Sequence, residues 1–342
     1  MPSLGTQNGG PSIDVGLAVF VLCFVPFGWS WAGQTSTPHF EADARLVLID
    51  VQATERGTGK PIPDLRLEDF VVIDSGSRKP VTVFDFEAVP LDLVLLVDTS
   101  GGTGRGTAPD LVDSLTLMTA EMRPGDRLGV VSFASKARVK VALTDDEDAA
   151  LNGIRTALRD RFNRDRDARI CDAIYAAAGL FPKRRSELRR RATLLVTHNR
   201  DSSGRPGGSR ATTALLEANA TLQAIVIPQV SYQGGPAIVA GFPGRRIPIR
   251  GGKVSKTVLP DLRSVDPIAE ATGGDVIRYG SEDLASFGKA LQRLRSRYLL
   301  GFPAEAPTGK RQFRDVRVEL TEEAKRLHPD VLLRARRGYY RD

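Results

Sequence analysis

The sequence predicts an α/β fold: a doubly wound, mostly parallel sheet, with a small β sub-domain formed by the strand-like segments that flank it. Three observations predict it. Leu93-Val94-Leu95-Leu96-Val97 is an apolar run without alternation, the pattern of a strand buried on both faces. From there to residue 297, strand-like and helix-like segments alternate, the signature of a parallel sheet wrapped by helices. Both flanks, residues 33–88 and 298–342, instead carry short strand-like runs separated by turns.

The elements follow in order. Residues 44–54 are rich in β-branched side chains and predict a strand; 70–73 and 81–86 predict two more, separated by glycine-containing turns. The buried strand at 93–97 comes next. Residues 110–122 place leucines at helical spacing, 127–134 read as a strand, and 137–142 as its antiparallel neighbour. Helices are predicted over 145–158 and 170–181, a buried strand over 193–197, a helix over 211–219 and a strand over 222–227. Residues 230–256 are long and rich in Gly and Pro, more than a compact connection needs. A helix at 265–272, a short strand at 275–279 and an amphipathic helix at 283–297 complete the α/β part. Strands at 298–302, 314–320 and 330–336 then return the chain to β structure.

Composition bounds the function. The 342 residues are 41% hydrophobic and 26% charged, enough for one large domain and a smaller one. The net charge of +7 comes with basic residues crowded between Arg155 and Arg191. Over 159–167 Arg alternates with Asp, which favours local pairing, whereas Lys183-Arg184-Arg185 and Arg189-Arg190-Arg191 are uniformly basic. Aromatics are sparse there, so no nucleic-acid partner is expected, and solubility accounts for the charge.

Residues 15–27 form an apolar run of signal-peptide length, too short for a comfortable membrane span. Ser30-Trp31-Ala32 fits the small-x-small rule and predicts a cut after Ala32, so residues 1–32 read as a signal peptide and the protein as secreted or periplasmic. Residues 1–14 contain no Lys or Arg, which leaves an uncleaved anchor as the alternative. Leu22 before Cys23 argues against lipidation. Cleavage removes Cys23, so Cys171 then has no intrachain disulfide partner and reads as a buried, inert thiol.

The chemistry centres on Asp98-Thr99-Ser100-Gly101-Gly102. In open α/β sheets ligands bind beyond the carboxyl ends of the strands, so Asp98 and Ser100 sit where an oxygen-ligand site would be built. The glycines from Gly101 to Gly106 have the strand-to-helix context of a phosphate loop. They lack its Lys and the dinucleotide-binding spacing, and read as a surface turn.

This stretch resembles the von Willebrand factor A-type domain family, whose metal-ion-dependent adhesion site reads Asp-x-Ser-x-Ser after the first strand. With Asp69-Phe70 upstream and Arg334-Ala335-Arg336-Arg337-Gly338-Tyr339-Tyr340 at the end, the chain looks like the VWFA-related secreted proteins common in Acidobacteria, from about Phe40 onward. The resemblance implies a Rossmann-like A-type domain over 89–297 whose flanking segments close together. It also implies a non-enzymatic module that binds an unidentified protein partner through the top face of the sheet.

The family draws metal ligands from three loops. Asp98 and Ser100 match the first; Gly102 stands where the second hydroxyl belongs. The second loop normally has a Thr before an apolar helix; the matching Ala168-Arg169-Ile170-Cys171-Asp172-Ala173 puts Ala168 there, beside Arg169. The third normally reads Thr-Asp-Gly; here Thr197-His198-Asn199 puts His198 at the Asp position. Asp201 is either a substitute ligand or a turn cap. What remains is thin for Mg²⁺ or Ca²⁺, so the site is expected to be degenerate and no cofactor is expected. The candidate binding face comprises Asp98, Ser100, Gly102, Ala168, His198 and Asp201. The alternative is a hydrolase or nucleotide-binding protein using Asp98, Ser100 and His198. A hydrolytic cluster needs the hydroxyl within hydrogen-bond reach of the imidazole, and Asp98 lies at a ligand spacing from Ser100 rather than in a triad order.

Overall fold

The computed structural model describes residues 46–100, 108–160, 167–183, 188–202, 208–227, 230–233, 255–258, 264–278, 285–305 and 309–341. The apolar run at 15–27, the cut after Ala32, the glycine-rich turn with Gly102, and most of 230–256 lie outside them. The described chain begins with β1 (Leu46–Glu55), β2 (Phe70–Asp74), β3 (Ser77–Lys79) and β4 (Val83–Phe86). Then come β5 (Leu91–Asp98), α1 (Ala108–Ala120), β6 (Arg127–Phe133), β7 (Ala137–Thr144), α2 (Glu147–Asp160), α3 (Ile170–Ala178), β8 (Arg190–Thr197), α4 (Gly208–Ala218) and β9 (Thr221–Val226). A β10 (Val230–Gln233) and β11 (Ser255–Val258) pair precedes α5 (Asp266–Ala271), β12 (Val276–Arg278) and α6 (Ala285–Arg295). The chain closes with β13 (Tyr298–Pro303), β14 (Gln312–Leu320), α7 (Glu322–Leu327), β15 (Val331–Ala335) and β16 (Gly338–Arg341).

The central sheet has the order β12-β9-β8-β5-β6-β7, parallel except for the antiparallel edge strand β7. Every residue of β5 is buried. Its alternate residues Leu91, Leu93, Leu95 and Val97 pack with α1, α2 and α6, while Val94 and Leu96 pack with α3, α4 and α5. Helices therefore cover both faces, which is why the run shows no alternation. From β5 the chain winds through β6 and β7 on one side, then returns to build β8, β9 and β12 on the other. The strand order reverses between β5 and β8, the kind of switch point at which open α/β sheets place their ligands.

The flanking segments form two four-stranded antiparallel sheets, β15-β1-β13-β4 and β16-β14-β2-β3. They share a core in which Val47, Ile49, Val51 and Phe302 meet Phe70, Val72, Val316 and Leu320. The N-terminal strand β1 lies between the C-terminal strands β13 and β15.

Several expectations need correction. Five short elements, β3, β10, β11, α7 and β16, are not expected from the sequence, β10 and β11 pairing across what reads as a long Gly/Pro-rich connection. The helix expected to reach 181 stops at Ala178, before Gly179. β8 begins at Arg190, ahead of the apolar run, because Arg190 and Arg191 are buried rather than part of a solvated basic surface. The Arg190 guanidinium donates to Asp50 Oδ1 of β1 at 2.7 Å and to the carbonyls of Arg295 and Arg297 at 2.9 Å each. Arg297, also buried, donates to the Asp50 and Gly273 carbonyls at 3.2 and 2.7 Å. Burial pushes its guanidinium down to about 10, against the opposing pull of Asp50. Next to them Asp92 pairs with Arg127 at 2.7 Å and with Arg189 at 2.7 Å. Arg190, Arg127 and Arg189 thus spend their charge in charge-assisted hydrogen bonds at the amino ends of the parallel strands.

Candidate functional site

The site is built where β5 and β8 end. Apolar packing on both faces fixes the two strands side by side, and the chain turns polar at Asp98 and Thr197, one at the tip of each. Asp98 is 2% exposed. Its Oδ1 accepts from the Ser100 backbone N–H at 3.0 Å and from the Ser100 hydroxyl at 2.6 Å. Its Oδ2 accepts from the Thr197 hydroxyl at 2.8 Å and faces the His198 N–H at 3.5 Å. The Thr197 bond ties the tips of the two strands together. Thr99 is turned away, its hydroxyl donating to the Phe133 carbonyl at 2.9 Å.

His198 is 6% exposed. Its Nδ1 lies 2.9 Å from the Ile227 carbonyl, so Nδ1 carries the proton. Its buried Nε2 has no hydrogen-bond partner among the described residues. Asn199 takes a left-handed backbone, φ 56°, a conformation Asn tolerates better than most residues. That turn lets its side-chain oxygen accept from Val265 N–H at 3.0 Å and its amide reach Asp266 at 3.4 Å, tying the loop to α5.

Ala168 and Asp201 form a neighbouring group. Ala168 N–H donates to the Ser202 hydroxyl at 2.7 Å, and Ser202 N–H returns to the Ala168 carbonyl at 2.9 Å, joining the second and third loops. Asp201 Oδ1 accepts from Ile170 N–H, the first residue of α3, at 3.2 Å. The contact reaches across to the start of α3 and is not a cap within a turn of its own. Burial pushes the Cys171 thiol up to about 12, and the Asp201 carboxylate, which accepts its hydrogen bond, pushes the same way. Arg169 points outward and pairs with Asp172 at 3.6 Å.

The structure thus brings Asp98, Ser100 and His198 together, and sets Ala168 beside the residues that flank Asp201. Gly102 lies outside the described residues. Sequence reasoning missed Thr197 as a partner of Asp98, and Asn199 as the anchor to α5. The signal for both was the polar Thr-His-Asn run directly after a buried strand. Among the described residues, no three His, Cys, Asp or Glu side chains converge.

An Asp-x-Ser turn thus stands at the switch point of a doubly wound sheet. The family profile described as the von Willebrand factor type A domain matches residues 93–203. That span runs from β5 past Asp201, and the chain carries a von Willebrand factor type A domain there. No curated protein matches the chain in sequence. Solved structures similar to it include an aerotolerance-related membrane protein from Bacteroides fragilis with multiple mutations to serines, 19% identical over 60% of this chain and 98% of that one, TM-score 0.45. BatB from Bacteroides thetaiotaomicron is 16% identical over 60% and 98%, TM-score 0.45. A von Willebrand factor type A protein from Catenulispora acidiphila is 12% identical over 88% and 75%, TM-score 0.41.

Proposed function

We propose that this chain is an exported, non-enzymatic module that binds a protein partner through the loops at the top of its von Willebrand A-type domain, without a metal ion. The observation that carries this reading is the state of Asp98. Both its oxygens are engaged by the chain's own donors, Ser100 and Thr197. A hard cation takes about six to eight oxygen ligands. The matched positions offer a methyl at Ala168 and an imidazole at His198, while Asp201 is committed to capping α3. The residues present therefore do not fit the family's ion.

The non-enzymatic part rests on Ser100 and His198. The Ser100 hydroxyl donates to Asp98, and His198 Nε2 is not its acceptor. A nucleophile needs a base within hydrogen-bond reach. Export rests on the apolar run at 15–27 and the small-x-small site at Ala32. No helix of the described residues is long and apolar enough to cross a membrane.

The test is capture of envelope and secreted proteins of the native host on the immobilised full chain, with and without chelator. A partner retained in chelator and lost with an Asp98→Ala/His198→Ala chain supports the reading. Capture abolished by chelator, or indifferent to those substitutions, contradicts it. Intact-mass analysis of protein from the host tests export; a mature form beginning at Gly33 is expected, and one retaining residues 1–32 contradicts cleavage.

A further inference from the structure

A groove of about 690 Å³ runs between α5, β12 and the open side of the β sandwich. Two strand edges border it. β15 ends its sheet and pairs only with β1. β14 pairs with β16 as far as Asp315, and beyond Val316 its strand partner is β2 alone. At one end the edges are already tied, Arg336 bridging Thr272 and Val316 N–H donating to the Arg337 carbonyl at 2.9 Å. That leaves Val331–Ala335 of β15 and residues 317–320 of β14 with one strand neighbour each among the described residues. Such an edge is a template for an added strand.

The side chains say what kind of strand. Arg317 and Arg337 line the groove, are exposed, and have no carboxylate partner among the described residues. Arg334 faces Asp275 at 3.4 Å, but Asp275 already holds Arg293 at 2.7 Å. Arg278 is neutralised by Asp266 at 2.7 Å. Against these stands Glu270, which also lines the groove, is exposed and has no cationic partner among the described residues. Arg317 and Arg337 together outweigh it, so the groove is net basic beside strand edges, a combination that matches carboxylates spaced along an extended chain.

We propose that this groove is a second binding site, which takes an acidic, extended peptide segment of a partner protein as an added β-strand. Backbone pairing holds the segment, and Arg317 and Arg337 select its charge. The proposal is independent of the top-face reading, since none of its contacts involves Asp98, Ser100 or His198.

The probe is a labelled octapeptide alternating valine and glutamate, titrated against the full chain by fluorescence anisotropy. Two exposed ion pairs are together worth roughly tenfold in affinity. The glutamate peptide should therefore bind about that much more tightly than its glutamine counterpart, and alternate backbone N-methylation should abolish binding. Arg317→Ser/Arg337→Ser should remove the preference for glutamate; Arg317→Lys/Arg337→Lys should keep it, and melting of each variant checks its fold. Equal binding of the glutamate and glutamine peptides, undiminished binding of the N-methylated peptide, or no binding of the glutamate peptide overturns the proposal. If the serine variant does not fold, the lysine variant and the peptide comparisons still decide it.

Discussion

Asp98 holds the charge around which the site is arranged, and what it can do depends on which groups already use its lone pairs. The Asp and the Ser two residues on were legible in the sequence because a buried strand ending in a carboxylate is unusual without a polar purpose. Thr197 was not legible as its partner, because nothing local reports that β5 and β8 lie side by side. Thr197→Val should leave Asp98 Oδ2 with only the 3.5 Å contact to His198 N–H. Loss of a buried acceptor's partner costs about 1–3 kcal/mol, which urea unfolding measures; an unchanged midpoint contradicts the assignment. Cys171 gives a second readout. Its thiol is raised from an ordinary 9.0 to about 12, chiefly by burial and then by Asp201. A group whose folded value is raised favours the native state below its unfolded value and loses that contribution as pH rises. Stability should therefore fall above pH 9, and the fall should be smaller in a Cys171→Ala chain. In a Cys23→Ser chain, thiol alkylation at pH 8.5 should be slow when native and complete after unfolding. Fast native labelling contradicts the buried assignment.

At the scale of elements, the parallel strands were readable because burial on two faces writes continuous apolar runs. The sandwich was readable as strands but not as two sheets, since β1 pairs with β13 and β15, more than two hundred residues away. β16 and α7 escaped notice because each is short; α7 is signed mainly by its Thr321 cap, which accepts from Ala324 N–H at 3.3 Å. Gly273 marks how closely the last strands approach the α/β core. It has φ 76°, and a Cβ there would lie 2.5 Å from the Ala335 carbonyl carbon. A left-handed backbone alone costs a non-glycine residue about 1–2 kcal/mol. Gly273→Ala should lose at least that in equilibrium unfolding, whereas Gly57→Ala, with nothing within 4 Å, should lose only the conformational part. Equal losses at the two positions would contradict the close approach.

In the whole molecule, Arg190 and Arg191, which read in the sequence as part of a uniformly basic run, are buried. Counting charges cannot tell an internal Arg from a solvated one; only the partner does, and Asp50 lies far away in sequence. The sandwich and the α/β domain are joined through that partner, with Asp50 of β1 held by Arg190 of β8. Removing one member of a buried pair costs about 3–5 kcal/mol. Asp50→Ala should lose that much in urea unfolding, and a loss under 1 kcal/mol would contradict the junction. The central claim, a von Willebrand A-type face that works without a metal, meets its most direct test in thermal melting of the full chain with and without millimolar Mg²⁺. A ligand at a hundredfold its dissociation constant stabilises a fold by about 2.7 kcal/mol, a shift of several degrees. The account predicts no shift for the native chain and a clear one for a Gly102→Ser/Ala168→Thr/His198→Asp chain. A rise in the native melting temperature with Mg²⁺ that Asp98→Ala abolishes would contradict it.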